Sequence, residues 1–150
     1  VILQMTDIIS ENSEDYKAYV MRGNHYLDAG KLIEAISDLT KAIQLDPSDP
    51  MVFNNRGVAY RGSVDKEKAL EDFDQAITIK SDYREAYNNR GMVLADNYEY
   101  EAAIVDFTKA IEIDSDYWYA YNNRAMSRWA LGDREGAKSD YKVVSTYMSG

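Results

Sequence analysis

Small residues recur along this chain of 150 residues at a constant interval of 34 residues. Gly23, Gly57 and Gly91 are followed at the same interval by Ala125, and an arginine directly precedes each of these residues. A repeat of this length is typical of stacked helical hairpins, because each repeat supplies two helices that bury their apolar faces against the neighbouring repeats. The interval therefore predicts an all-α fold built from one repeated pair of helices.

The repeat boundaries follow when Gly23 is placed at position 8 of a 34-residue unit. We predict repeats at residues 16–49, 50–83, 84–117 and 118–150. Residues 1–15 precede them as an N-terminal helix or as the remnant of an upstream repeat.

Within each repeat, large and small apolar residues recur with helical spacing. Position 4 is aromatic, position 20 is alanine and position 24 is large: Tyr19, Phe53, Tyr87 and Tyr121; Ala35, Ala69, Ala103 and Ala137; Leu39, Phe73, Phe107 and Tyr141. The 3.6-residue period of these stripes predicts two amphipathic helices in each repeat. In the last helix, Lys138 and Ser145 replace aliphatic residues of the other repeats, which predicts a cap-like end to the array.

Turn and capping residues separate the predicted helices. Gly30 and Gly132 predict the turn inside the first and the last repeat, and Asp49-Pro50 predicts a capped helix start in the second repeat. Before the third and fourth repeats, we expect Ser81-Asp82 and Ser115-Asp116 to cap the helices that follow.

These columns resemble the tetratricopeptide repeat family over residues 16 to about 147. The resemblance is carried by the aromatic residue at position 4, glycine at 8, tyrosine at 11 (Tyr26 and Tyr60), alanine at 20 and 27, and proline at 32 (Pro47). Leu94 and Arg128 depart from the pattern at position 11. The resemblance implies a right-handed superhelical α-solenoid of four tandem helix-turn-helix repeats plus a short N-terminal helix.

One arginine and one aspartate recur in every repeat, at positions 7 and 23. The set comprises Arg22, Arg56, Arg90 and Arg124 with Asp38, Asp72, Asp106 and Asp140. We predict structural ion pairs between first and second helices of the array, because a bidentate contact between guanidinium and carboxylate fixes helix orientation. The sequence leaves open whether each aspartate belongs to the same repeat or to the preceding one. The alternative role of the arginines is to bind an acidic ligand.

Paired asparagines recur in the predicted first helix of three repeats: Asn54 and Asn55, Asn88 and Asn89, Asn122 and Asn123. Asparagine is unfavourable inside a helix, so we expect these amides to have a compensating role. The resemblance implies that this helix face is concave and that the position-6 amide holds the main chain of a ligand. An amide suits this task because it both donates and accepts hydrogen bonds. Bonding between adjacent repeats is the alternative.

Apolar side chains share this predicted face with the asparagines. Met92, Met126, Tyr119 and Trp129 are candidate anchors for ligand side chains, with filling of gaps between helices as the alternative. At the positions where chaperone-binding members of the family hold a carboxylate, the sequence has Val20, Asn24, Asn55, Glu85 and Asn89. Only Asn24 and Asn55 match that pattern, so we predict no carboxylate clamp. Acidic residues outnumber basic ones in the predicted groove, which favours a neutral or basic segment.

Composition disfavours several other classes of function. A net charge of −9 repels nucleic acid, and no apolar run is long enough for membrane insertion. The sequence has no cysteine, and its single histidine, His25, is expected to pack beside the core. No phosphate-binding loop or catalytic constellation is present, so we expect no enzyme, no cofactor and no metal site. The compartment is left open, with the cytoplasm slightly favoured.

The sequence therefore predicts a non-catalytic protein–protein interaction scaffold that binds an extended peptide segment, neutral to basic in charge. Two alternatives stay open. In the first, the protein self-assembles end to end into homo-oligomers through its terminal helices, with Val143, Val144 and Tyr147 in contact. In the second, it is a regulatory module of a larger protein.

Overall fold

The computed structural model describes residues 1–149, and every regular element in that range is an α-helix. The helices are α1 Ile2–Glu11, α2 Tyr16–Asp28, α3 Leu32–Leu45, α4 Pro50–Gly62, α5 Lys66–Ile79, α6 Arg84–Asp96, α7 Tyr100–Ile113, α8 Trp118–Ala130 and α9 Arg134–Met148. The predicted fold class, an all-α solenoid, is confirmed. The protein divides into two compact bodies, an N-terminal body over Val1–Ser81 and a C-terminal body that begins at Asp82.

In the N-terminal body, α2 pairs with α3 and α4 pairs with α5, while α3 also packs on α4. Val20, Leu39, Ala42 and Val52 form a buried cluster between the two hairpins. These residues lie on the apolar stripes of their helices, so burying them draws the hairpins together.

Helix α1 occupies the place of a second helix before the first hairpin. Arg22 Nη1 donates a hydrogen bond to Thr6 Oγ1 of α1 at 3.1 Å. Arg56 Nη1 makes the same contact, also at 3.1 Å, with Thr40 Oγ1 of α3. Helix α1 therefore contacts α2 as α3 contacts α4, and of the two alternatives given for residues 1–15 we propose the remnant of an upstream repeat.

In the C-terminal body, α6 pairs with α7 and α8 pairs with α9, while α7 packs on α8. Its buried cluster is Ala103, Phe107, Ala110 and Ala120. The arrangement within this body repeats that of the N-terminal body, because the same columns of the sequence supply the core.

Glycine at position 8 lets the two helices of a hairpin approach closely. A Cβ atom on Gly57 or on Gly91 would lie 2.7 Å from Cε1 of Phe73 or Phe107, respectively. In the last hairpin, where Tyr141 is partly exposed instead of buried, Ala125 takes the place of the glycine. Position 8 is therefore glycine where the large side chain that faces it is buried against the helix, and alanine where that side chain is partly exposed.

The turn inside each hairpin places one residue in the left-handed region of backbone conformation. Gly30 and Gly132 have φ values of +70° and +85°, which confirms the predicted glycine turns. Val64 and Tyr98 occupy the same place in the middle hairpins with φ values of +65° and +64°. The sequence did not predict these two, because valine and tyrosine are unfavourable in that conformation.

The starts of the first helices confirm one capping prediction and correct another. Asp49 Oδ1 accepts a hydrogen bond from the backbone N–H of Met51 at 2.9 Å, and Pro50 is the first residue of α4, as predicted. The predicted caps Ser81-Asp82 and Ser115-Asp116 are wrong. The cap positions of α6 and α8 are Tyr83 and Tyr117, whose side chains make no capping hydrogen bond, because the serine and aspartate lie one or two residues too early.

Candidate functional site

Each recurring arginine binds the aspartate of its own hairpin through two parallel hydrogen bonds. In all four pairs, Nε to Oδ2 measures 2.7–2.9 Å and Nη2 to Oδ1 measures 2.7–2.8 Å. Asp38, Asp72, Asp106 and Asp140 are buried. The hydrogen bond to Asp38 raises the pKa of Arg22 above its ordinary value. The structure thus answers the question that the sequence left open, since the partners lie in the same repeat.

The third nitrogen of these guanidinium groups holds the preceding second helix within each body. Arg124 Nη1 donates to Thr108 Oγ1 at 3.0 Å, in the same way as Arg22 and Arg56 donate to the threonines of α1 and α3. Because these donors are occupied inside the fold, the arginines are poorly placed to bind an acidic ligand.

In two of the three pairs, the second asparagine lies between neighbouring first helices of the same body. In the N-terminal body, Asn55 Nδ2 donates to Asn24 Oδ1 of the preceding hairpin at 2.9 Å. In the C-terminal body, Asn123 Nδ2 donates to Asn88 Oδ1 at 3.0 Å. Bonding between adjacent repeats, the alternative that the sequence left open, is therefore present at both amides. Asn55 and Asn123 are nevertheless half-buried, so part of each side chain reaches the surface.

In two of the three pairs, the first asparagine is the more deeply buried one. Asn54 and Asn88 are only 6% and 4% exposed. Asn54 Nδ2 lies 3.4 Å from Asn55 Oδ1, and Asn88 Nδ2 lies 3.6 Å from Met92 Sδ. The structure therefore separates the predicted site residues into an inner set, Asn54 and Asn88, and an outer set, Asn55, Asn89, Asn122 and Asn123, which are half-buried.

Helix α8 carries an exposed aromatic and methionine stripe. Tyr119, Met126 and Trp129 are 52%, 58% and 50% exposed, and their spacing places them on one face of the helix with Asn122 and Asn123. The Tyr119 ring stacks on Trp118 with 3.8 Å between centroids, and Asn122 Nδ2 lies 3.8 Å from Met126 Sδ. Met92 packs against the buried cluster of the C-terminal body, so it fills a gap in addition to any ligand contact.

The corresponding face of α4, in the N-terminal body, carries Met51, Asn55 and Val58. Met51 is exposed, and Asn55 and Val58 are half-buried. We call these stripes of α4 and α8 the first-helix faces. Each combines a half-buried amide with exposed apolar surface, which is the chemistry that suits a peptide.

Arg134 is a residue of this region that the sequence did not single out. Its Cζ lies 3.7 Å from the centroid of the Trp129 ring, and its Nη1 donates to the backbone oxygen of Trp129 at 2.9 Å. The signal was a tryptophan followed five residues later by an arginine, which occurs only in the last repeat. That spacing matches no motif with a known role, so it did not indicate a binding residue.

Charges beside the start of α6 are largely paired. Arg84 Nε lies 2.9 Å from Glu85 Oε1, and Arg84 also contacts Asp114 and lies 4.8 Å from the centroid of the Tyr117 ring. Burial, with a smaller effect of the nearby Glu85 carboxylate, raises the pKa of Tyr117 to about 12.

The described residues offer no evident metal chemistry. Within residues 1–149, no cluster of three or more histidine, aspartate or glutamate side chains is close enough to hold a metal ion. His25 is half-buried. None of the helices in this range is long and apolar enough to cross a membrane.

The repeated sequence columns also match known protein families. Family profiles described as TPR repeat or tetratricopeptide repeat match residues 23–62, 52–83 and 85–117. The chain belongs to the tetratricopeptide repeat family. No curated protein matches its sequence.

Several solved structures share the fold. A crystal structure of MamA is 23% identical in sequence, with a TM-score of 0.90, and the match covers 99% of this chain and 86% of that one. The first tetratricopeptide repeat domain of Spaghetti (RPAP3), bound to the HSP90 peptide SRMEEVD, is 28% identical with a TM-score of 0.76. That match covers 81% of this chain and 96% of the other. The Arabidopsis OM64 domain is 22% identical with a TM-score of 0.76 and is matched over 78% of this chain and 97% of that one.

Proposed function

We propose that this protein is a non-catalytic protein–protein interaction scaffold, and that the first-helix face of each body binds an extended peptide segment. The observation that carries the proposal is the combination, on one helix face, of half-buried amides with exposed Tyr119, Met126 and Trp129. The structure of RPAP3 with an HSP90 peptide supports the same general use of the fold in a related protein.

The bonds between hairpins prepare the amides for this role and do not exhaust them. An asparagine amide has two N–H donors and an oxygen with two lone pairs. Asn123 gives one N–H to Asn88, and Asn55 gives one to Asn24. These bonds fix the side-chain rotamers before a ligand arrives, which lowers the entropy cost of binding. The second N–H and the oxygen can then meet the C=O and N–H groups of a peptide backbone.

Apolar contacts must add to these hydrogen bonds. Two hydrogen bonds per amide, at ~0.5–1.5 kcal/mol each, stabilise the complex by roughly 1–3 kcal/mol per asparagine. Ordering a flexible peptide costs about 2–5 kcal/mol. We therefore assign the anchoring of ligand side chains to Tyr119, Met126 and Trp129, with Met92 of α6 as a further candidate.

The bound segment is expected to be neutral or basic overall. At the family's carboxylate-clamp positions, Val20 and Asn24 are uncharged and Glu85 is acidic, so these residues supply no cation. An acidic tail such as SRMEEVD should consequently bind this protein more weakly than a neutral or basic segment does.

A displayed library of random 12-residue peptides provides the test. Binders selected on the protein are measured again on the variant Asn55→Ala/Asn123→Ala, with Gln44→Ala/Gln75→Ala as the matched control for amides exposed on second helices. We expect at least a tenfold loss of affinity for the asparagine variant, equivalent to ~1.4 kcal/mol, and no loss for the control. Unchanged affinity in the asparagine variant would exclude backbone capture by these amides.

End-to-end assembly through the terminal helices has less support. Val144 is buried within its own hairpin, and the Tyr147 hydroxyl donates to Asp116 Oδ1 at 2.6 Å in the same body. The side chains of Val144 and Tyr147 therefore already make contacts within the fold. Sedimentation over a concentration range separates the two functions, because only self-assembly makes the sedimentation coefficient rise with concentration. A regulatory role in a larger protein stays a prediction.

A further inference from the structure

Arg134 differs from the other arginines of the last hairpin in having no acidic partner. Arg124 pairs with Asp140, and Arg128 pairs with Asp140 and lies near Asp133. Within residues 1–149, Arg134 forms no ion pair, and its contacts are the ring and the backbone oxygen of Trp129. An arginine that is positioned by the fold but not neutralised by it is available to an external anion.

The two contacts with Trp129 fix the guanidinium group in place. Stacking on the indole ring orients the guanidinium plane, and the hydrogen bond to the backbone oxygen uses one of its five N–H groups. The remaining donors are at the surface, because Arg134 is exposed. A planar guanidinium held in this way matches the geometry of a carboxylate.

The nearby acidic residues already have other partners. Asp133 Oδ1 caps α9 by accepting from the backbone N–H of Gly136 at 2.9 Å, and Glu135 Oε1 lies 2.8 Å from Lys138 Nζ. These contacts leave the positive charge of Arg134 without a close competitor. The equivalent pairs of positions in the other repeats are Leu27 and Leu32, Arg61 and Lys66, and Ala95 and Tyr100, so the arrangement is confined to the last hairpin.

We propose that Arg134 and Trp129 form a subsite for a carboxylate carried next to a large apolar side chain. The apolar group would contact Trp129 and Met126, one helical turn apart on α8, while the carboxylate meets the open donors of Arg134. This inference rests on the proposed function and makes it more specific: the bound segment is neutral or basic as a whole but bears one acidic group at its anchor. The carboxyl terminus of a peptide and an acidic side group offer the same chemistry.

Small probes test the subsite without involving the asparagines. The wild-type protein is titrated with N-acetyl-leucine, which mimics a carboxyl terminus, and with its neutral match N-acetyl-leucinamide. A second pair, acetyl-Leu-Glu-amide and acetyl-Leu-Gln-amide, mimics an acidic side group beside an apolar one. The NMR resonances of the Trp129 indole N–H and the Arg134 Nε–H report binding. We expect both resonances to shift saturably with at least one carboxylate probe. The affinity for that probe should be at least about threefold higher than the affinity for its neutral match.

Variants show whether Arg134 produces the preference. In Arg134→Gln, the carboxylate and neutral probes should bind equally, whereas Lys142→Gln removes the same charge elsewhere on α9 and should retain the preference. Arg134→Lys keeps the charge but loses the planar fork, so the preference should fall between these two. Equal binding of both probe pairs to the wild-type protein would overturn the proposal, and so would a preference that survives Arg134→Gln. Because the probes are too short to span the asparagines, failure here is distinct from failure of backbone capture.

Discussion

Replacing Val64 by glycine should stabilise the N-terminal body, although it removes an apolar side chain. Val64 has φ +65° at the turn of the second hairpin, where Gly30 serves in the first hairpin with φ +70°. The Val64 side chain is 75% exposed, so it gains little from burial in return for its backbone strain. The left-handed conformation is unfavourable for valine because of its branched Cβ.

The size of the effect follows from two opposing terms. Left-handed backbone costs an L-residue roughly 1–2 kcal/mol, and glycine loses ~0.5–1 kcal/mol through its greater freedom in the unfolded state. The balance predicts that Val64→Gly raises the free energy of unfolding by about 1 kcal/mol. Urea unfolding followed by far-ultraviolet circular dichroism measures this change.

Two matched variants separate backbone strain from other causes. In Gly30→Ala, the new Cβ would meet no heavy atom within 4 Å, so the same two backbone terms act in the opposite direction and predict a loss of about 1 kcal/mol. Ser63→Gly places a glycine next to the turn at φ −86°, where it should destabilise the fold. If Val64→Gly lowered the free energy of unfolding as Ser63→Gly does, strain at Val64 would be refuted.

Two further variants test packing and charge. Gly57→Ala should lower the free energy of unfolding, measured in urea, by about 1–2 kcal/mol, because the added Cβ would lie 2.7 Å from the buried Phe73 ring. Helix propensity alone predicts a gain in stability, so a measured gain would contradict this account. Burial and a 2.5 Å hydrogen bond to Asp49 raise the pKa of Tyr16 above its ordinary value of about 10. The unfolded protein therefore loses this proton first, so the contribution to stability is complete below about pH 10 and falls as the pH rises further. Tyr16→Phe should flatten that decline in urea midpoints measured between about pH 8 and 12, and an equal decline in both proteins would exclude Tyr16 as its source.

The repeated fold was predictable from the sequence because the close approach of two helices can be read from residue size. Gly57 and Gly91 mark where a Phe ring meets the facing helix, and the 34-residue interval places both in register. The starts of α6 and α8 were not predictable in the same way. Serine and aspartate precede Tyr83 and Tyr117, and only the three-dimensional structure shows that the helices begin after the tyrosines.

The candidate site was predictable in composition but not in its detailed contacts. The sequence identified the asparagine pairs, yet the different burial of Asn54 and Asn55 depends on how neighbouring first helices are rotated. The pairing of Arg56 with Asp72 in the same hairpin was likewise visible only in the three-dimensional structure. Arg134 was missed because its position over Trp129 joins the end of one helix to the start of the next.

The most direct test of peptide capture is to observe the side-chain amides while a library-selected peptide binds. In isotope-filtered NMR, the account predicts intermolecular contacts between the peptide backbone and the Nδ2 protons of Asn55 in the N-terminal body, or of Asn89 and Asn123 in the C-terminal body. The side-chain amides of Gln44 and Gln75 on the second helices should stay unchanged. A peptide that binds tightly while the three asparagine amides keep their resonances, or that contacts the glutamines instead, would contradict the account.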